Sequence, residues 1–374
     1  MSRILTIGMG WFGEEPGGLN RMYAGLLGGL ERHGVAVTGL VAGEATAAAP
    51  ANISFFERRD RSAIKRLFSA RRSFCAALRS QSVEIVAAHF ALYALPLLDL
   101  LRNRRFVFHF HGPWGQESRA ESEGVLGAGA KRVVESLVYR RADRFIVLSR
   151  AFADLLGREY GVQHDRVFVV PGGVDARRYA IRESRREARD RFGLPHDRPL
   201  AVSVRRLVHR VGLEGLIDAV AELRRRVPDA LLLIAGSGPL EQQLRLRIAG
   251  RELEDHVRLL GFVADADLPL LYRAADVSIV PSVALEGFGL SAVESLAAGT
   301  PVLVTPVGGL PEVVGALDSS LVLPDSGVST LADALTRALS SPGALPGPER
   351  CARYAQERFD WPVIAQRVLA VYEH

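Results

Sequence analysis

The sequence predicts an α/β protein built from two doubly wound parallel sheets, and three observations carry that expectation. The chain has 374 residues, too many for one ordinary core and enough for two domains of about 150 to 200 residues each. Short apolar runs alternate with amphipathic stretches of helical period, the pattern of a parallel sheet with helices packed on it. That alternation breaks off in a turn-rich and then highly charged segment at 171–199 and afterwards starts again.

In chain order, "RILTIG", a helix from about Gly18 to His33 and "VAVTGLV" make a β-α-β start. Strand-like runs follow at "EIVAAH" (84–89), "RFVFHFH" (105–111), "RFIVLS" (144–149) and "RVFVVPGG" (166–173). After the break come "LAVSVRRL", a helix from about Gly212 to Arg226, "ALLLIAGSGP", a helix near 240–250, "HVRLLGFV", "DVSIVPS", a helix from about Gly289, "TPVLVTP" and "SLVLPD". The final helix, "WPVIAQRVLAVYEH", is apolar on one face and follows a helix that already closes the second domain, so it is expected to cross back onto the first. The expected domains are 1–175 together with 361–374, and 176–360.

Composition narrows the function classes. With 48% hydrophobic residues, 7% aromatics and a mean hydropathy of +0.11, the chain has the material for buried sheets and no mark of disorder. Its net charge of +5 is carried mostly by arginine, which suits phosphate-bearing ligands or an anionic membrane surface. The arginines are scattered rather than gathered with aromatics into a stripe, so no nucleic-acid partner is expected. Cys75 and Cys351 have neither metal-ligand spacing nor a disulfide framework and read as reduced thiols in a cytoplasmic protein. The N-terminus lacks the features of a signal peptide, and no segment reaches the roughly 20 apolar residues of a spanning helix.

Several glycine loops could hold phosphate. "GMGWFG" at 8–13 has dinucleotide-fingerprint spacing, but Trp11 and Phe12 are bulky, "EEP" precedes the helix, and no acid ends the second strand to bind a ribose. In "PGGLNR" at 16–21, Gly17 and Gly18 permit close backbone approach ahead of a helix N-terminus; the same residues also read as a plain turn and cap. "VRRLVHRVG" at 204–212 places Arg206 and Arg210 after a strand, where guanidinium forks suit a diphosphate or are merely exposed. "AGSGPL" at 235–240 is a further loop that reads as a tight turn.

The most informative stretch is "PSVALEGFGLSAVESLAAGTPVLV" at 281–304. A strand, a loop and a helix whose first turn offers N–H groups near Gly289 and Leu290 make a diphosphate site together with the arginines. Glu286 and Glu294 cannot bind phosphate, because ionised carboxylates only accept hydrogen bonds. They suit hydroxyls, which donate: Glu294 a ribose, Glu286 a hexose beyond the phosphates. A sugar on each side of a diphosphate is a nucleotide-sugar. Taken singly, Glu294 also reads as a carboxylate favoured by the helix dipole and Glu286 as an ordinary loop residue.

Over essentially its whole length the chain resembles the family 4 glycosyltransferases, retaining enzymes with two Rossmann-like domains facing across a cleft (the GT-B fold). The resemblance rests on "PGGLN" (16–20), "HFHGPW" (109–114), "VPGGVD" (170–175), "RRLVHRVGLEGLIDA", "EGFGLSAVE" (286–294) and "FDW" before the terminal helix. It implies a donor diphosphate on Gly18, Arg206, Arg210 and the backbone at Gly289 and Leu290, with Gly17, Asn20, Gly287 and Phe288 in the same donor-binding loops. It further implies Glu294 on the ribose, Val263 at the base, Glu286 on the donor sugar and His111 beside the transferred sugar, these last two catalytic. The implied reaction moves a hexose to a saccharide, lipid-linked or small-molecule acceptor without metal or other cofactor, as in polysaccharide biosynthesis. Two departures stand out. The family usually has lysine five residues after the arginine of the phosphate segment, where this chain has Val211, so that Arg210 is expected to substitute; and "PSVALE" is one residue longer than the commoner spacing.

Two other expectations stay open on the sequence alone. A non-catalytic nucleotide-sugar or polyanion-binding protein would use the same arginines. The segment 57–80, "ERRDRSAIKRLFSARRSFCAALRS", alternates basic residues with Ile64, Leu67, Phe68, Phe74 and Leu78, and reads as a peripheral membrane contact or as a surface helix packed on its own sheet.

Overall fold

Parallel pairing organises the chain into two sheets. The computed structural model describes residues 3–14, 17–45, 49–116 and 125–373, and these form two units, 1–173 with 361–374, and 174–360. In the first unit, β1 (Ile4–Gly10), β2 (Val37–Ala42), β3 (Ile53–Glu57), β4 (Ile85–Ala88), β5 (Arg105–Phe110), β6 (Arg144–Val147) and β7 (Val167–Val169) lie in the order β3-β2-β1-β4-β5-β6-β7. Every pairing is parallel. β3 has no counterpart among the strands expected from sequence: "ISFFE" is short and runs straight into charged residues, and its pairing with β2 supplies the order that its pattern lacks.

Helix α1 (Gly18–Arg32) forms because Tyr23, Leu26, Leu27 and Leu30 recur at helical spacing and bury one face. Helix α2 (Ala63–Ser80) starts at Ser62, whose Oγ accepts from Lys65 N at 3.4 Å. Its apolar stripe divides. Ala70 and Phe74 are fully buried against the sheet, whereas Ile64 and Phe68 are 68% and 72% exposed. Helix α3 (Val125–Arg141) precedes β6.

The second unit repeats the plan with β8 (Leu200–Val204), β9 (Leu231–Ala235), β10 (Val257–Gly261), β11 (Val277–Val280) and β12 (Val302–Val304), ordered β10-β9-β8-β11-β12 and all parallel. Helix α4 (Leu290–Ala297) follows β11. In each sheet the strand order reverses direction between two neighbours, β1 and β4 or β8 and β11, and in open parallel sheets ligands bind beyond the carboxyl ends of strands at such a point.

The last helix, α5 (Trp361–Glu373), packs on α1 of the first unit, as its apolar face led one to expect. Its C-terminal carbonyls are held by arginines from the sheet: Arg144 Nη1 donates to Val371 O at 2.6 Å and Arg105 Nη1 to Tyr372 O. At its start the Trp361 indole lies flat against Gly25 of α1 and Gly173, where any side chain would overlap it. Among the described residues no helix is long and apolar enough to cross a membrane.

Candidate active site

In the second unit Arg206 and Arg210 follow β8, the 286–290 loop and Glu294 follow β11, and Val263 follows β10. Gly289 caps α4 with φ +88°, and a Cβ there would overlap Leu310, so only glycine can turn the loop into the helix. No side chain caps α4; its first intrahelical bonds run from Ala292 N and Val293 N to Gly289 O, leaving the Leu290 and Ser291 amides ahead of them at the positive end of the helix.

Glu286 is buried in the loop before this helix. Its Oε2 accepts from Ser282 Oγ at 2.8 Å and from Arg205 Nη2, and its backbone carbonyl accepts from Gly309 N at 2.9 Å. Burial resists ionisation, but Arg205, Ser282 and Arg210 outweigh it and hold the carboxyl below its ordinary range. The residue just before it, Leu285, adopts φ +51°, a conformation unusual for a branched side chain. That turn falls in the longer "PSVALE" segment and sets Glu286 facing Arg205.

Arg205, the first residue after β8, was not singled out from sequence. Its Nη1 donates to Ser291 Oγ at 3.1 Å and its Nη2 to Ser282 Oγ at 3.0 Å. Its backbone is fixed by the "AGSGPL" turn: Arg205 N donates to Ala235 O at 2.8 Å, Leu207 N to Ser237 O at 3.1 Å, and Gly236, at φ +140°, packs on the Arg205 carbonyl with no room for a Cβ. That turn is therefore a packing device for the arginine loop. Arg206 is exposed, whereas Arg210 donates through Nη1 to Leu285 O at 3.2 Å. Glu294 is buried with its Oε2 accepting from Tyr272 OH at 3.2 Å. Phe288 is buried, its ring 5.7 Å from that of Phe359, with Gly287 beside it; Val263 lies half-buried just beyond β10.

In the first unit, His111 follows β5 and His89 follows β4. Side chains alternate across a strand. Phe106, Phe108 and Phe110 enter the hydrophobic core on one face, so His109 and His111 share the other. There His89 Nδ1 and His111 Nε2 are 3.0 Å apart, the His89 and His109 rings stack at 4.0 Å, and His109 Nε2 lies 2.7 Å from Tyr372 OH. Burial, and for His89 and His109 also the neighbouring imidazoles, lower all three pKa values, that of His111 to about 4. Three neutral imidazoles with nitrogens within 4.8 Å of one another could offer a metal ligand set. Ligand lone pairs lie in the ring planes and must converge, however, and here the planes are within 15° and 24° of parallel and one nitrogen pair is already hydrogen-bonded.

The turn after His111 is pinned by Glu135 of α3, another residue that sequence reading missed. Its carboxylate accepts from Trp114 N at 2.8 Å, Gly115 N at 3.3 Å, Tyr160 OH at 2.8 Å and Tyr139 OH at 3.2 Å. At α1, Gly17 caps the helix without a side-chain bond, both Gly17 and Gly18 have open space where a Cβ would sit, and Asn20 is buried; Pro16 lies outside the described residues. Gly8 and Gly10 of "GMGWFG" are inside β1 and do not open a helix, so that segment is not arranged as a dinucleotide loop.

Comparisons with known proteins give the family and the fold. The family model for glycosyl transferases group 1 matches residues 184–358, and that for glycosyltransferase family 4 matches residues 16–178. Glycogen synthase of Mycobacterium tuberculosis is 30% identical over 303 residues, covering 79% of this chain and 69% of the relative. Mannosylfructose-phosphate synthase of Agrobacterium fabrum is 33% identical over 258 residues, covering 64% of this chain and 54% of the relative. The chain spans 54% to 62% of the length of the first curated relatives it matches. Among solved structures, Anabaena Alr3699/HepE in complex with UDP and glucose superposes with a TM-score of 0.80 at 19% identity, covering 100% of both chains, a likeness of fold. The two matched halves and the relative covered over more than two thirds of its length show that the chain belongs to the family 4 type of glycosyltransferases.

Proposed function

We propose that the protein transfers a hexose from a nucleotide-diphosphate donor to an acceptor hydroxyl, with retention at the anomeric carbon. The observation that carries this reading is the pair of buried carboxylates, Glu286 and Glu294, on either side of the α4 N-terminus, with arginine beside them. Backbone N–H groups and guanidinium neutralise the leaving diphosphate without a metal. Glu294 accepts from the ribose, Glu286 from the hexose, and His111 contributes a hydrogen bond to the transferred sugar. The acceptor hydroxyl attacks the anomeric carbon from the side of the leaving group, the bond from that carbon to the diphosphate breaks, and the departing phosphate oxygen takes the hydroxyl proton. UDP in the Anabaena structure is consistent with a diphosphate donor.

The test is a thermal-shift screen of UDP-, GDP-, ADP- and dTDP-sugars, followed by transfer and hydrolysis assays with chelator present. A nucleotide-sugar should stabilise the protein and be consumed to an α-configured product from an α-configured donor. If no such donor binds or reacts, the reading is wrong; if one binds but is neither transferred nor hydrolysed, a binding protein without catalysis is the better description.

A second element concerns location. Ile64 and Phe68 project from α2 beside Lys65, Arg61 and Arg72, an arrangement that suits shallow insertion into an anionic membrane surface from the cytoplasmic side. On this reading the acceptor is lipid-linked.

A further inference from the structure

We propose that Arg205 is the cation that receives the donor diphosphate, and that Glu286 is its counter-ion only while the site is empty. This rests on the nucleotide-sugar reading and goes further by assigning the charge.

Three observations converge on it. The first is position. Arg205 is the first residue after β8, at the reversal point of the second sheet, and its guanidinium reaches Ser291, the second residue of α4. It therefore stands where the leading helix amides and the positive end of the helix dipole already favour an anion. The second is unused capacity in a dry place. The Arg205 side chain is 10% exposed, and its Nε is buried without a hydrogen-bond acceptor among the described residues, although a guanidinium has five N–H donors. A buried donor without an acceptor is a cost that a ligand oxygen would remove.

The third is replacement. Val211 stands where the family resemblance leads one to expect lysine, and it is buried. Its neighbours lie on the Glu286 loop: Arg210 O accepts from Val283 N at 2.9 Å, and Gly212 packs against the Pro281 carbonyl. A lysine at 211 would thus project beside the same loop that Arg205 now serves. The charge that a lysine would bring is supplied here six residues earlier, directly after β8. Arg206, the adjacent residue, is exposed.

The pairing with Glu286 then has a function. Glu286 is buried and the Arg205 side chain is only 10% exposed, so neither can stay charged alone at low cost. A diphosphate brings more negative charge and more acceptor oxygens than one carboxylate and matches the guanidinium fork. When it takes Arg205, the Glu286 carboxylate is released to accept hydroxyls of the hexose attached to that diphosphate. No bond is made or broken in this exchange.

The experiment is calorimetric titration with UDP, GDP and ADP, each against its nucleoside. Arg205→Met should weaken the preferred diphosphate by about tenfold or more while leaving the nucleoside unchanged, as expected for a charge-assisted fork. Because that variant strands a buried carboxylate, Arg205→Met/Glu286→Gln is measured beside it and should show the same loss. Glu286→Gln alone should bind diphosphate as tightly as the parent or more tightly, its competing counter-ion being gone. Val211→Lys in the Arg205→Met background should restore diphosphate affinity. Equal diphosphate affinity in the parent and Arg205→Met proteins, or a loss shared equally by the nucleoside, overturns the proposal while the donor reading stands. If none of the three diphosphates binds the parent protein, the donor reading falls, and this proposal with it.

Discussion

Acid should loosen the first unit well before it protonates ordinary carboxylates, because of the three stacked histidines. Burial, with the neighbouring imidazoles, holds the pKa values of His89, His109 and His111 below the ordinary 6.5, so the unfolded chain binds protons that the native state refuses. For a group whose folded pKa is depressed in this way, stability is complete above the unfolded pKa and is lost as pH falls towards the folded one. At pH 5.5, about one unit below the unfolded value, each such group costs on the order of 1 kcal/mol and the three together a few kcal/mol. That is a large part of the roughly 5 to 15 kcal/mol that holds a domain together. Glu135, whose carboxyl is pushed up by burial, works in the opposite direction and offsets part of the loss. The assay is favourable, since the three tryptophans, Trp11, Trp114 and Trp361, all lie in the first unit. Urea unfolding followed by their fluorescence should show a midpoint that falls steeply between pH 8 and 5.5. His89→Asn should remove about a third of that slope, one group of three. A midpoint flat across this interval, or a slope unchanged by the substitution, would refute the reasoning.

Three other outcomes follow from the packing. Gly25→Ala places a methyl group into the Trp361 indole, which is also packed against Gly173, and should cost about 1–3 kcal/mol in chemical denaturation; Gly25→Ala/Trp361→Leu should recover most of it. Glu135→Ala leaves the Trp114 and Gly115 amides and two tyrosine hydroxyls without their acceptor, and should lower stability by about 2–3 kcal/mol in thermal unfolding. Ile64→Ser/Phe68→Ser should abolish co-sedimentation with anionic vesicles at low salt; a parent protein that stays in the supernatant with anionic and neutral vesicles alike would remove the membrane contact from the reading.

Both sheets were legible because each buried strand is a short run of apolar residues and each crossover carries its own amphipathic period. β3 escaped because its order comes from the neighbouring β2 edge, a tertiary cause that five residues cannot display. The carboxylates in "EGFGLSAVE" were legible from chemistry: an acid in a phosphate loop needs a hydroxyl or a cation, and Glu286 turns out to have a cation. His89 and Glu135 were not. A histidine at a strand end and a glutamate in the middle of a helix carry no local signal of their distant partners: His111 lies 22 residues from His89, and Trp114, Gly115 and Tyr160 lie 20 to 25 residues from Glu135.

Arg205 is the instructive miss, because the sequence reading took Arg206 of two adjacent arginines and passed over its neighbour. Composition and spacing put arginine after the first strand of the second unit, and the strand order explains why that position matters: β8 borders β11 where the sheet reverses, so whatever follows either strand faces the same place. In extended chain, however, successive side chains point to opposite sides, so one of Arg205 and Arg206 enters the site and its neighbour faces solvent. Nothing in "VRRLV" says which. The decision is made by the turn at Gly236, which fixes the Arg205 carbonyl through a contact only glycine allows, and by the pairing of Arg205 N with Ala235 O. A residue 31 positions further along the chain thereby selects which of two arginines meets Glu286. A Cβ at Gly236 should therefore disturb the arginine loop and weaken diphosphate binding without touching the ligand, and Gly236→Ala, compared with Arg205→Met by the same titration, would show whether that backbone contact sets the choice.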